Sequence, residues 1–172
     1  MVSFCIKKCR ITIDFSFILV LSFATLFDVR NLLYLLLFSG VHELSHLLAL
    51  LLCGGKPDSL RFSFYGLALR YESNISKIRE FFVILAGPLA NLIFYLILRD
   101  DINLILFSLN ILPVYPLDGG RLVHLFSYRI SDTVSKIFLV MIILLSIWMI
   151  VEYRSFSLLL IAVYLIAYSV MN

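Results

Sequence analysis

Residues 32–53 read LLYLLLFSGVHELSHLLALLLC, an almost entirely apolar stretch with ionisable residues at its centre. A helix needs about 20 mostly apolar residues to cross the hydrocarbon core of a bilayer, so this stretch is long enough to span a membrane. His42, Glu43 and His46 lie near its middle. A charge there costs roughly 2.5–3.5 kcal/mol on insertion scales and usually marks function. The stretch therefore predicts a membrane helix that carries a functional site.

The composition of the whole chain agrees with a membrane protein. Of its 172 residues, 62% are hydrophobic and 15% are charged, and the mean hydropathy is +1.05. Soluble domains are roughly 45–50% apolar and about 25% charged. These values exclude a soluble enzyme, a disordered chain and a secreted disulfide scaffold. The net charge is +3 and there is no long basic run, so nucleic acid is not an expected partner.

The apolar runs predict an all-α polytopic membrane protein with about six transmembrane helices in a single domain. The six predicted spans are 11–27, 32–53, 81–98, 102–125, 135–151 and 155–171. The first run also resembles a signal peptide, because Lys7, Lys8 and Arg10 precede it, but its length favours a retained span. With the N-terminus in the cytoplasm, only Arg30, Arg99 and Arg154 of the 14 Lys and Arg residues fall outside. We therefore expect both termini to be cytoplasmic.

The long break at 54–80 predicts a short membrane-associated β-hairpin between spans 2 and 3. Apolar Leu60, Phe62 and Phe64 alternate with polar residues, and the alternation resumes after Gly66. Period-two patterning around a glycine is typical of a hairpin. An interfacial loop anchored by its aromatic residues is the alternative.

The motif His42-Glu43-Leu44-Ser45-His46 predicts a zinc site. Two histidines at i and i+4 project from one helix face and can share a metal ion, which is the arrangement of zinc proteases. Zinc lowers the pKa of a water ligand to about 7, and a carboxylate such as that of Glu43 can then accept its proton. The alternative is a pair of hydrogen-bonded histidines in a helix interface.

A catalytic zinc usually has three protein ligands, and Asp118 is the candidate for the third. It follows Asn110-Ile111-Leu112-Pro113-Val114-Tyr115-Pro116-Leu117 and precedes Gly119-Gly120, so prolines and glycines break the span around it. Irregular backbone at membrane depth is tolerated where protein or a wet cavity surrounds it. The alternative is a helix that ends near Leu112, with Asp118 in a cytoplasmic loop.

Two further polar residues lie in predicted spans. Asn91, in Gly87-Pro88-Leu89-Ala90-Asn91, is predicted either to contact substrate or an oxyanion near the metal or to form an interhelical hydrogen bond. His124 is predicted to lie in a helix interface rather than to bind the metal.

Taken together, the motifs around His42, Asn91 and Asp118 resemble the site-2 protease family of intramembrane zinc metalloproteases, over about residues 28–129. The resemblance implies Zn²⁺ held by His42, His46 and Asp118, with Glu43 as general base, and assigns Asn91 and Asn110 to substrate binding. It implies cleavage in or near the transmembrane segment of a membrane-bound substrate.

Within that family, residues 113–121 are most similar to the sporulation subgroup, which processes pro-sigma factors. That subgroup implies a bacterial cytoplasmic membrane and a membrane-tethered regulator as substrate, and an inhibitory membrane partner is a further expectation. The predicted topology places His46 seven residues from the cytoplasmic end of its span at Cys53, so we expect the active site toward the cytoplasmic side. The subgroup's usual C-terminal regulatory domain has no counterpart before Asn172. The competing functions are a membrane zinc or proton transporter and a proteolytically inactive membrane scaffold.

Overall fold

The computed structural model describes the N-terminal strands, the central helices and part of the C-terminal segment. The described residues are 2–6, 9–13, 30–63, 66–71, 75–155, 158–159, 161–163 and 165–166. The chain divides into two compact units, Met1–Phe107 and Ser108–Asn172.

The first unit contains a four-stranded sheet in the order β1-β2-β3-β4. Its strands are β1 (Val2–Ile6), β2 (Cys9–Ile13), β3 (Pro57–Ser63) and β4 (Gly66–Tyr71). Strand β2 pairs in parallel with β3, and both β1 and β4 pair antiparallel with their neighbours. The segment 54–80 therefore contains two antiparallel strands, and one edge of β3 is covered by the N-terminal segment.

The first unit also contains two long helices, α1 (Arg30–Leu52) and α2 (Lys77–Leu98). Helix α2 starts four residues before the predicted span because Ser76 caps it. The Ser76 hydroxyl accepts a hydrogen bond from the Arg79 amide at 3.5 Å, which pairs one of the amides that a helix start leaves without a partner. The two helices pack directly against each other.

The remaining helices are α3 (Asp101–Asn110), α4 (Asp118–Phe126) and α5 (Tyr128–Tyr153). In the second unit, the buried side chains of Val114, Ile142, Ala162 and Leu165 form a hydrophobic core. Helix α5 begins with a cap at Ser127, whose hydroxyl accepts from the Ile130 amide at 3.5 Å. The cap explains why this helix starts before the predicted boundary at 135.

Within the described residues, three helices are long and apolar enough to cross a membrane: α1, α2 and α5. Many of their large apolar side chains are exposed; Leu37, Ile97 and Val151, for example, are 58%, 70% and 76% exposed. Contiguous apolar surface of this kind is typical of a membrane-facing helix. The structure therefore indicates a membrane protein.

Two of the predicted spans need correction. The span 11–27 does not begin at residue 11, because Ile11, Thr12 and Ile13 belong to β2 and pair with β3. The span 102–125 is divided into α3 and α4 by the irregular segment 111–117. Residues 14–27 and most of 155–171 lie outside the described residues, so six spans remain a prediction.

Candidate metal centre

The two histidines of the motif lie on one face of α1 and are almost fully buried. His42 is 4% exposed and His46 is 3% exposed, as expected for positions i and i+4 on the face that packs against α2. Their Nε2 atoms are 3.1 Å apart and their rings are nearly perpendicular, with an interplanar angle of 85°. The two Nε2 atoms thus converge on one point beside the helix.

Helix α2 contacts the other ring nitrogen of each histidine. The Nδ1 atom of His46 lies 2.7 Å from the backbone carbonyl oxygen of Val83, and the Nδ1 atom of His42 lies 2.9 Å from Nδ2 of Asn91. A carbonyl oxygen can only accept, so Nδ1 of His46 carries a hydrogen, which in a neutral imidazole leaves the lone pair on Nε2. This is the usual second contact of a metal-binding histidine.

Gly87 lies between these two contacts on α2 and faces both Nε2 atoms. A Cβ atom at this position would lie 2.7 Å from Nε2 of His42 and closer still to Nε2 of His46. Any larger residue would therefore occupy the space beside the two nitrogens. The glycine leaves room there for a bound ion.

Asp118 is the first residue of α4 and is 5% exposed, so it does not lie in an exposed loop. A guanidinium nitrogen of Arg121 donates to its Oδ1 at 3.2 Å. An ionised carboxylate accepts several bonds at once, so this pair does not exhaust its capacity. A carboxylate in the first turn of a helix is also stabilised by the helix dipole.

The irregular segment 111–117 is packed closely around the start of α4. A Cβ on Gly119 would clash with the backbone carbonyls of Ile111 and Leu112, so the Gly-Gly pair allows backbone to pack directly on backbone. The hydroxyl of Ser135 on α5 accepts from the Tyr115 amide at 3.0 Å and lies 3.4 Å from the carbonyl oxygen of Pro113. These contacts hold the residues immediately before Asp118 in place.

Within the described part of the chain, His42, His46 and Asp118 form a group that could hold a metal ion. One ligand atom from each residue lies within 4.8 Å of the others. Two imidazoles and a carboxylate are a donor set of catalytic zinc sites, and tetrahedral zinc with bonds of about 2.0–2.1 Å would separate two nitrogens by about 3.3–3.4 Å. The observed separation of 3.1 Å between the Nε2 atoms is close to that value. The residues present therefore fit zinc.

The structure places the other predicted site residues as follows. Glu43 is half-buried beside His42 on α1, and Asn110 is half-buried as the last residue of α3. Asn91 is fully buried and contacts His42 across the helix interface. His124 lies between the rings of Tyr115 and Tyr128, each at a centroid distance of 5.5 Å, and does not belong to the metal-binding group.

Three residues near the site escaped prediction from the sequence. Val83 acts through its backbone carbonyl, which every residue has, so no side-chain signal could mark it. Arg121 follows Asp118 by three residues, a spacing at which an ion pair on a helix can be anticipated. Ser135 reaches the 111–117 segment through tertiary packing and has no local signature.

No protein-family model matches this chain, and no curated protein matches it. Among solved structures, the chain is similar to the site-2 protease from Methanocaldococcus jannaschii, with a TM-score of 0.63 and 21% sequence identity. The match covers 95% of this chain and 91% of the other. The two proteins share a fold. Similarity at this level of identity concerns architecture, so function must be argued from the site itself.

Proposed function

We propose that this protein is an intramembrane zinc metalloprotease that hydrolyses a peptide bond in or near the transmembrane segment of a membrane-bound substrate. The observation that carries the proposal is the buried group of His42, His46 and Asp118 in a chain with membrane-spanning helices. The shared architecture with a site-2 protease supports it. A buried set of three metal-ligating side chains is costly in a membrane protein unless it has a function.

The residues of this chain divide the chemistry among them. His42, His46 and Asp118 would hold the ion; zinc, when bound, acidifies water and polarises the scissile carbonyl. Val83 fixes the ring of His46 so that its Nε2 lone pair faces the site. Glu43, adjacent to His42, takes the proton from the attacking water and passes it to the leaving nitrogen.

We further propose the finer features that the sequence predicts. The chain would have six spans with both termini in the cytoplasm of a bacterium and the site toward the cytoplasmic side. Its substrate would be a membrane-tethered regulator such as a pro-sigma factor, and Asn110 would contact that substrate. Support for these features comes from the distribution of Lys and Arg and from the motif around Asp118.

Glu43→Gln provides the direct test, because it removes the base and keeps the metal ligands. Detergent-solubilised single-span membrane proteins would be incubated with the wild-type protein or the variant, and new N-termini would be identified by mass spectrometry. We expect cleavage within apolar segments by the wild type and a loss of at least about 100-fold in the variant, the usual size of a general-base contribution. The zinc content should be equal in both.

The same experiment separates the alternatives. Equal cleavage by the wild type and Glu43→Gln would exclude Glu43 as the base. No cleavage by either, together with zinc uptake into proteoliposomes that does not depend on Glu43, would overturn the protease in favour of a transporter.

A further inference from the structure

Three residues spaced by four along α2 face the two histidines of α1. Val83 contacts Nδ1 of His46, Gly87 lies beside both Nε2 atoms, and Asn91 contacts Nδ1 of His42. Residues at i, i+4 and i+8 share one face of a helix, so these three residues form a stripe along α2 that lies against the histidine pair. The two ends of the stripe determine which ring nitrogens carry hydrogen.

The Val83 end of the stripe is chemically fixed. Its carbonyl oxygen can only accept, so His46 must donate from Nδ1 and keep the lone pair on Nε2. The tautomer of a neutral His46 is therefore set by Val83 in either orientation of the Asn91 amide.

The Asn91 end is not fixed, because a carboxamide has both a donor and an acceptor. Asn91 is 0% exposed, its Nδ2 lies 2.9 Å from Nδ1 of His42, and its Oδ1 has no hydrogen-bond partner among the described residues. With Nδ2 donating to Nδ1, His42 carries its hydrogen on Nε2 and can donate it to Nε2 of His46 at 3.1 Å. In that arrangement the two histidines are bonded to each other and His42 has no lone pair for a metal.

Rotation of the Asn91 side-chain amide by 180° exchanges Nδ2 and Oδ1. Oδ1 would then accept from Nδ1 of His42, the hydrogen would leave Nε2, and the lone pairs of both Nε2 atoms would face the same point. Two lone pairs so close repel each other unless a cation lies between them. The amide orientation and metal binding are therefore coupled.

From this geometry we propose that Asn91 is a positioning residue that selects the tautomer of His42, with its Oδ1 accepting from Nδ1 when the metal is bound. The proposal rests on the proposed zinc site and gives Asn91 a different role from the substrate contact predicted from the sequence. Hydrogen-bond partners of metal-bound histidines commonly contribute 10–100-fold to metal affinity.

The test measures zinc affinity of the detergent-purified protein by competition with a chromophoric chelator. Asn91→Leu removes both polar atoms at similar volume, and we expect affinity to fall 10–100-fold. Asn91→Asp offers only an acceptor to Nδ1, so it should bind zinc at least as tightly as the wild type. Thermal unfolding of the metal-free variants shows whether each one folds.

Asn103→Leu is the matched control. Asn103 is also 0% exposed, and in the part of the chain that the structure describes its Oδ1 has no hydrogen-bond partner either, but its Nδ2 donates to Asp100 rather than to a histidine. We expect this substitution to leave zinc affinity unchanged. If Asn91→Leu bound zinc as tightly as the wild type, or if Asn91→Asp lost affinity as Asn91→Leu does, the positioning role would be wrong. If the wild type itself bound no zinc, that result would contradict the proposed zinc site and function, on which the role of Asn91 rests.

Discussion

The histidine pair and Asp118 are positioned by different kinds of structure. His42 and His46 lie on a regular helix and are held by one neighbouring helix through Val83 and Asn91. Asp118 begins a short helix after irregular backbone, which a serine of α5 holds in place. Regular geometry thus positions two of the proposed ligands from one motif, whereas the position of the third depends on packing between segments distant in sequence. The comparison predicts that the two regions will respond differently to substitution.

The largest effect should come from filling the space beside the histidines. In Gly87→Ala, the new Cβ would lie 2.7 Å from Nε2 of His42 and closer to Nε2 of His46, beside the proposed position of the ion. We expect zinc affinity to fall by about 100-fold or more. This exceeds the loss of about 10–100-fold that is typical when a hydrogen-bond partner of a metal-bound histidine is removed. Zinc per chain, measured by mass spectrometry on the purified protein, checks this.

Gly40→Ala is the control for that experiment. Gly40 lies two residues before His42 on α1, and a Cβ there meets no atom of the described residues within 4 Å. Both substitutions raise intrinsic helix propensity by roughly 1 kcal/mol, so only the space beside the histidines distinguishes them. Equal zinc in the two variants would mean that Gly87 does not border the binding site.

A smaller effect is expected in the region of Asp118. Ser135→Ala removes the hydroxyl that accepts a hydrogen bond from the Tyr115 amide, and the net contribution of one such bond is about 0.5–1.5 kcal/mol. We expect a lower unfolding temperature and a modest loss of zinc affinity. Ser146→Ala is the matched control, since Ser146 is also buried on α5 but, among the described residues, its hydroxyl bonds only to Ile143 of the same helix. Equal unfolding temperatures in the two variants would show that Ser135 does not stabilise the segment before Asp118.

The difference between the regions also explains what could be predicted from the sequence. The spans 32–53 and 81–98 correspond to α1 and α2 within a few residues, because a long apolar run has few alternatives to a helix. The histidine spacing predicts a shared helix face without further information. Val83 and Gly87, by contrast, act through a backbone oxygen and through the absence of a side chain.

The N-terminal segment and the break at 111–117 mark the limit of prediction from local sequence. Ile11–Ile13 appear as the start of an apolar run, yet they pair with β3 of a segment more than forty residues later. Prolines and glycines predict that the fourth span is broken, but Tyr115 and Gly120, on either side of Asp118, form hydrogen bonds with α5 that no local pattern encodes. Long-range pairing overrides local hydropathy in both places.

The central claim is that His42, His46 and Asp118 together bind one zinc ion. The most direct measurement is the zinc content of the detergent-purified wild type beside Asp118→Ala, with His124→Ala as the control histidine outside the group. We predict close to one zinc per chain in the wild type and in His124→Ala, and little or none in Asp118→Ala. Equal zinc in the wild type and Asp118→Ala, or no zinc in the wild type, would contradict the claim.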